Sequence, residues 1–381
     1  MTHAPLPTWS ELVAALKTPP LLDNEISAPW RRSGDVAVWF SRSAWSLLAI
    51  AQWRKSLTGQ PSITVWLPDF FCNASLIPLR NMGVRFQFYP LTDLMSPDLD
   101  ACRTLADETR PDLFLLVHFF GRPSPAEEAV AFCRSTNAWL IEDAAHVLRP
   151  IAGVGEHGDC VLYSPHKHLP IPNGAVLMVR KRGPARLTDQ ASAMEIFQDV
   201  HSCLHKTHGY SHWQPGLWLV KRVLQLLGIR PMLRTSSFLT DAITQNTDLT
   251  HPKMSLLSRR LLSALLGSLD GVAFKRLQNR LMWENLLIKS KSVQEAIWTT
   301  TEAYTPYFSG FIFKNETLTE KIFLRWQRAR LPVSTWPDLP PEVTAQKDRH
   351  RNALLLRKTR LYLPVHQSIN HSQVSDCVHN L

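Results

Sequence analysis

Hydrophobic and polar positions change their period twice along the chain. Between Val36 and Arg182, short and nearly continuous apolar runs recur: VAVWF (36–40), ITVWL (63–67), VRFQFYP (84–90), LFLLVH (113–118), AWLIED (138–143), DCVLYS (159–164) and GAVLMVRKR (174–182). Between most of them lie helical patterns. AWSLLAIAQW follows Ser41-Arg42-Ser43, another helix begins at Ser96-Pro97, and Ser124-Pro125-Ala126-Glu127 reads as a capping box with proline at the first helical position. Apolar strands with so few polar positions, alternating with helices, predict an α/β fold with a mainly parallel sheet covered by helices on both faces.

After Arg182 the period turns helical. PGLWLVKRVLQLLGI (215–229), SLLSRRLLSALLGSL (255–269) and FKRLQNRLMWENLLIKS (274–290) follow one another. The tail then mixes a strand, GFIFK (310–314), a helix, LTEKIFLRWQRARL (318–331), and the segment YLPVH (362–366). Four segments result: an N-terminal piece (1–35) with the amphipathic stretch WSELVAALK, a large domain (36–184), a helical connector or insertion (185–250), and a smaller α+β C-terminal domain (251–381).

Chemistry gathers between residues 138 and 180. The run AWLI ends in Glu142-Asp143, and DCVLYS ends three residues before Lys167. Ligands of open α/β sheets bind beyond the carboxyl ends of the parallel strands, so an acid and an amine at two such ends can face one ligand. Lysine with acid is the minimum equipment for pyridoxal 5′-phosphate (PLP): the amine forms a Schiff base and the acid keeps the pyridine nitrogen protonated. Taken alone, the pair is more often a helix cap and a solvated lysine. The hydroxyls at Ser41 and Ser43 open a helix and offer free amides to a phosphate, or serve as an ordinary cap. Gly153-Val154-Gly155-Glu156-His157-Gly158 matches GxGxxG in letters only. A strand follows it where the dinucleotide fingerprint needs a helix, so the glycines shape a loop. No P-loop pattern and no HExxH occurs.

Composition narrows the classes. A chain of 381 residues with 45% hydrophobic and 19% charged residues fits a two-domain globular protein. No secretion signal and no spanning helix is expected. The six cysteines are scattered without metal-type spacing, as reduced thiols of a cytoplasmic protein would be, and no metal site is expected. The formal charge of +10 is dispersed, which argues against nucleic acid and suits an anionic substrate. The basic, Trp-bearing helix 215–229 fits a membrane surface, but burial in a core or dimer interface is the favoured reading. The 13 tryptophans are assigned mostly to packing.

Taken in order, several segments resemble the DegT/StrS sugar aminotransferases, which are fold-type I PLP enzymes. FSRSAWSLL is similar to that family's phosphate-binding helix start, LPDFFCNAS to its next strand and helix, and VHFFGRP to its histidine-aromatic-glycine turn. EDAAH, HGDCVLYSPHK and PNGAVLMVR resemble the cofactor acid, the lysine segment and the glycine-bearing strand, while LPVSTWPDLP and YLPVHQSI resemble its small domain. The resemblance implies that Lys167 is the Schiff-base lysine and later the base moving the proton, and that Asp143 partners the pyridine nitrogen. It places His146 near the phenolic oxygen, Ser164 and Ser43 with the Arg42 backbone at the phosphate, and Phe71 or Cys72 on the ring, with Phe71 the better suited. His118 matches a motif histidine; His166 and His168 are read as structural.

Where many members carry Gly-x-Asn-x-Arg-Met, this chain has DLTHPKM (248–254), so His251 stands in place of the asparagine that reaches the neighbouring subunit's phosphate. Residues 185–247 exceed the family's connector and are expected to cover the site. The implied protein is a homodimeric aminotransferase with PLP as cofactor, an amino donor such as glutamate, and a keto sugar nucleotide as acceptor, serving cell-surface polysaccharide or natural-product biosynthesis. Two alternatives compete: a PLP enzyme acting on an amino-acid or lipid-linked substrate, and a degenerate member without catalysis.

Overall fold

The apolar runs become strands because their residues are buried on both faces of one sheet. In the computed structural model, residues 2–180, 190–207, 213–229, 238–239, 251–287, 295–297, 304–372 and 374 are described. The runs form β1 (Val36–Phe40), β2 (Thr64–Pro68), β3 (Arg85–Tyr89), β4 (Leu113–Val117), β5 (Trp139–Ala144), β6 (Cys160–Tyr163) and β7 (Ala175–Val179). Their order in the sheet is β1-β7-β6-β5-β4-β2-β3. Pairings from β3 through β6 are parallel, whereas β7 runs antiparallel to both β6 and β1. In β6 and β7 the strand period of two divides the side chains between two cores. Cys160 and Leu162 of β6 and Leu177 and Val179 of β7 enter one cluster. Val161, Tyr163, Val176 and Met178 enter the other.

The first face carries helix Ser43–Thr58, whose Leu47, Ile50 and Trp53 are buried, together with Ala193 and Phe197 of helix Gln190–Thr207. Trp53 Nε1 donates to the Ala193 carbonyl at 2.8 Å, so this part of the 185–250 segment lies on the large domain. Helix Trp213–Leu226 follows, and residues 208–212, 230–237 and 240–250 lie outside the described residues, as does the DLT of DLTHPKM. On the second face, Leu261, Leu262 and Leu265 of helix Leu256–Leu265 pack with Ala15 of helix Trp9–Lys17. Trp53, Trp66 and Trp139 are fully buried, and Trp53 meets Trp139 edge-on at 4.8 Å.

A second, antiparallel sheet contains β8 (Glu295–Ala296), β9 (Phe308–Ile312) and β10 (Arg360–Pro364), in the order β10-β9-β8. Phe311, Leu361 and Leu363 bury against Ile322, Phe323 and Trp326 of helix Glu316–Arg328. One helix, Leu269–Leu287, joins the two bodies: Leu269 and Val272 pack with the large sheet, Trp283 and Leu287 with the small one. The stretch 256–272 is thus packed on the large sheet, although the sequence pattern groups it with the small domain.

Two predicted helix starts fall elsewhere. The helix expected at Ser124-Pro125 begins at Ala126 without a side-chain cap, because the Ser124 hydroxyl donates instead to the Val117 carbonyl at 2.7 Å. The helix expected at Ser96 begins at Leu99, capped by Asp98 accepting from the Ala101 amide.

The two bodies meet tightly at the turn after β4. Phe120 and Gly121 are left-handed, with φ of 57° and 97°, and the Tyr307 amide donates to the Phe120 carbonyl at 2.9 Å. A Cβ on Gly121 would drive into the Thr305 carbonyl oxygen and lie 3.1 Å from that of His146. Gly121→Ala is therefore expected to destabilise the protein by about 2 kcal/mol or more, from left-handed strain plus overpacking. A lowered urea midpoint at unchanged m-value checks this.

Candidate active site

Five strand ends deliver the site. Ser43 follows β1, Phe71 and Cys72 follow β2, Phe119 follows β4, Asp143 closes β5, and Lys167 follows β6; all line one cleft with His146 and Trp336. The cleft opens beyond the carboxyl ends of the parallel strands, next to the point where the chain passes from β3 back across β2 to β4. Aromatic rings line it with a few convergent polar groups, the make-up of a ligand site.

Two adjacent acids end β5 and serve opposite faces. Glu142 is fully buried and accepts the amides of Gly155, His157 (2.9 Å) and Gly158, plus His118 Nε2 at 2.8 Å. Since His118 Nδ1 accepts the Ser124 amide at 3.0 Å, its proton is on Nε2. The GxGxxG stretch is thus a loop closed around a carboxylate, and His118 supports it from the other side. Burial alone would raise the Glu142 carboxyl. The His118 imidazole and the Gly158 and Gly155 amides outweigh that effect and hold it at about 2.

Asp143 takes the cleft face. Its Oδ1 accepts the Ala145 amide at 3.0 Å, burial raises its pKa, and the nearby Lys167 ammonium partly offsets the rise. Lys167 sits in the short helix Pro165–His168, where burial lowers its pKa against the opposing pull of Asp143. Each group is held in low dielectric with the other as its main compensation.

His146 is clamped between rings, stacked on Tyr307 at 4.4 Å and 10° and on Phe120 at 5.5 Å and 20°. Its Nδ1 accepts the Phe120 amide at 3.3 Å, which places the proton on Nε2. Burial and the Lys167 charge push its pKa well below 6.5, so the ring is neutral near pH 7. Lys167 Nζ lies 6.0 Å from the Tyr307 ring centroid. Tyr307 and Trp336, whose sequence context carries no chemical signature, come to the site from the C-terminal part. Trp336 is set by Phe70 at 4.4 Å, while Asn73 N–H donates to Asp338 and Asp69 meets His350 at 3.2 Å.

The predicted phosphate residues fall as follows. Ser43 is the first residue of its helix, whose N-cap is Arg42, and no side chain caps it, so Ser43 is not the N-cap that its type suggests. Ser164 is fully buried and its Oγ has no hydrogen-bond partner. Arg42 Nη1 donates to the Pro172 carbonyl at 3.2 Å. The His251 carbonyl accepts the Ser41 hydroxyl at 2.5 Å within the same chain, two residues from Ser43. His166 Nδ1 bonds the Gly174 carbonyl at 2.9 Å, and His168 is fully buried with neither ring nitrogen partnered. Among the described residues, no cluster fits a metal ion and no helix is long and apolar enough to cross a membrane.

Sheet order, cleft position and small domain define a fold-type I architecture, that of solved DegT/StrS-type aminotransferases. Helicobacter pylori PseC, an aminotransferase involved in the biosynthesis of pseudoaminic acid, superposes with a TM-score of 0.68 at 11% identity, over 99% of this chain and 96% of that one. A DegT/DnrJ/EryC1/StrS aminotransferase from Brucella abortus gives 0.65 at 15% identity over 97% and 94%. An Escherichia coli GDP-4-keto-6-deoxy-D-mannose-3-dehydratase with bound hydrated PLP gives 0.66 at 14% over 94% and 90%. No protein-family model matches the chain. In sequence, serine hydroxymethyltransferase of Thermococcus gammatolerans is 31% identical over 136 residues, so the match spans 33% of this chain and 31% of that enzyme.

The Glu142 clasp predicts a pH effect. Its pKa is about 2 in the folded state against 4.5 as the reference, so its contribution is complete above about pH 4.5 and is lost as pH falls towards 2. Glu142→Gln should cost about 3 kcal/mol at neutral pH. Urea titrations of both proteins from pH 7 to 2 should show that difference shrinking below pH 4.5.

Proposed function

We propose that this protein is a PLP-dependent aminotransferase of the DegT/StrS type, moving an amino group from an amino-acid donor, glutamate, to a keto group on a nucleotide-linked sugar. The observation that carries the reading is the pairing of buried Asp143 with buried Lys167 in one strand-end cleft. The residues present fit the cofactor. The uncapped helix start at Ser43 offers amides to a phosphate, and the buried, unpartnered Ser164 hydroxyl lacks only an acceptor or donor of that kind. The face of the ring falls to Phe71 or Cys72, both on the cleft wall. His251, held beside Ser41, is proposed to reach the phosphate of the neighbouring subunit in a homodimer.

When bound, PLP supplies the electron sink that makes a Cα–H bond of an amino acid acidic. The chain's own groups do the rest. Asp143 would face the pyridine nitrogen and hold its proton there. Lys167, whose pKa burial lowers, would be the amine that holds the aldehyde end and then the group that moves the proton at Nζ. His146 presents Nε2–H from a ring fixed by Phe120 and Tyr307. The +10 balance suits a pyrophosphate-bearing acceptor.

The test begins with PLP uptake: wild type should develop a visible absorbance band that Lys167→Ala abolishes. Glutamate should then be converted to 2-oxoglutarate by the loaded protein. Asp143→Asn should retain PLP while lowering turnover roughly 100-fold or more. Full turnover in that variant would remove Asp143 from the mechanism.

A lipid-linked acceptor is the second reading, favoured by one feature. On helix Trp213–Leu226, Trp213, Leu217, Val220 and Leu224 expose one apolar stripe, flanked by Lys221 and Arg222. Under this reading the protein should sediment with acidic phospholipid vesicles, and Leu217→Glu with Val220→Glu should abolish sedimentation. Recovery entirely in the supernatant for wild type would dismiss it.

A further inference from the structure

Helix Trp213–Leu226 is apolar on two sides, and its own chain covers one of them. Pro215 is buried, Trp218 packs against the second core of the large sheet, and Leu219, Val223 and Leu226 are half-buried. On the other side Trp213, Leu217, Val220 and Leu224 are exposed, Trp213 by 81%. Leu227 continues this side, because its amide still bonds the Val223 carbonyl at 3.0 Å, and Ile229 follows it. A helix that is hydrophobic all round is normally buried all round, so this one lacks half of its cover among the described residues.

The spacing of the exposed side says what kind of cover fits. From Trp213 to Leu227 the intervals are four, three, four and three residues, the 3.5-residue period by which one helix sets its side chains between those of another. The seam is narrow, bordered by Gln214, Gly216 and Lys221. A helix lying on a bilayer needs instead a broad apolar face with a strongly charged one opposite. Here the opposite face is packed on protein. The Arg222 guanidinium lies over the Trp218 ring at 5.4 Å and donates to Gln225 Oε1 at 2.8 Å, which leaves Lys221 as the one exposed cation between Trp213 and Ile229.

We propose that this seam pairs with the same helix of a second copy, antiparallel about a two-fold axis that passes between the levels of Trp218 and Leu219. In that register Trp213 meets the partner's Leu224, Leu217 meets the partner's Val220, and the two-fold repeats both contacts. Trp213, the largest and most exposed residue of the seam, thus faces Leu224, the least exposed. Lys221 falls beside the partner's Gln214 and the partner's Gly216, so no charge meets a like charge. A Cβ on Gly216 would meet nothing within 4 Å, which leaves room for the second helix there. With Leu227 and Ile229, the exposed side chains present about 600 Å² per copy and about 1,200 Å² for the pair, which reaches the size of a specific interface. The helix lies in the 185–250 segment read as an insertion, so this contact is additional to the homodimer proposed above. It does not rest on the transaminase reading.

Light scattering coupled to gel filtration of the full chain reads the mass. Leu217→Glu and Val220→Lys should each halve the wild-type mass, with the far-UV helix signal retained. Residue 217 faces residue 220 across the two-fold, so mixing the two variants should restore the wild-type mass through a Glu–Lys pair, which a parallel pairing would not do. A wild type with the same mass as both variants at every concentration overturns the proposal. So does halving without recovery on mixing, which would remove the antiparallel register. Sedimentation of wild type with acidic phospholipid vesicles, with masses unchanged in both variants, also overturns it and assigns the stripe to a bilayer.

Discussion

Two neighbouring carboxylates at the end of β5 depend on being kept apart. Because successive strand residues point to opposite faces, Glu142 and Asp143 see different chemistry although one peptide bond separates them. Glu142 meets His118 and the amides of Gly155, His157 and Gly158, and so is fully matched inside the protein. Asp143 gains one amide from Ala145 and otherwise faces the cleft and Lys167. A one-residue slip of β5 would exchange them, leaving the matched acid in the cleft and an unmatched one beneath the loop. The pairing of Val117 with Asp143 and of Asp143 with Leu162 prevents that slip.

From this register the rest of the cleft follows. The turn after β4 carries Phe119 and Phe120, and the left-handed Gly121 lets the backbone pass beneath Thr305. That contact brings Tyr307 against His146, and Tyr307 in turn reaches Lys167. The site is thus assembled between two bodies, and the helix Leu269–Leu287, packed in both cores, fixes their spacing. Burial of aromatic rings supplies the cohesion here, since Phe70, Phe119, Phe120, His146, Tyr307 and Trp336 form one continuous stack of contacts.

Seven strands of the large sheet were legible because full burial writes an apolar run that few other structures require. The direction of β7 was not, since an antiparallel strand buried on both faces has the same composition as a parallel one. Asp143, Lys167, His146, Ser43 and Phe71 were legible as strand-end residues, and the structure brings them to one cleft. Tyr307 was not, because it acts through contacts more than a hundred residues away, and Trp336 lay in a segment read only as small domain until Phe70 and Phe119 placed it in the cleft. Glu142 was visible only as the end of a run. Its role needed the loop at 153–158 in place, and that loop had been separated from dinucleotide binding by its flanking strand alone. The capping box at Ser124 failed for a tertiary reason, as the Val117 carbonyl competes for the same hydroxyl.

The charges around Lys167 point in one direction. Arg42, Arg276, His166 and His168 lie close enough to Lys167 or to each other to disfavour further protonation, and burial pushes the two histidines well below 6.5. Against this stands Asp143, the one acid on the cleft wall among the described residues. Burying cationic and donor groups together in low dielectric is costly, and the cost falls when an anion lies against them. The same imbalance lowers the pKa of Lys167, the direction that favours a nucleophilic amine over a solvated ammonium. The directions at Lys167 and Asp143 therefore have one physical origin, burial of an amine and an acid that compensate each other only in part.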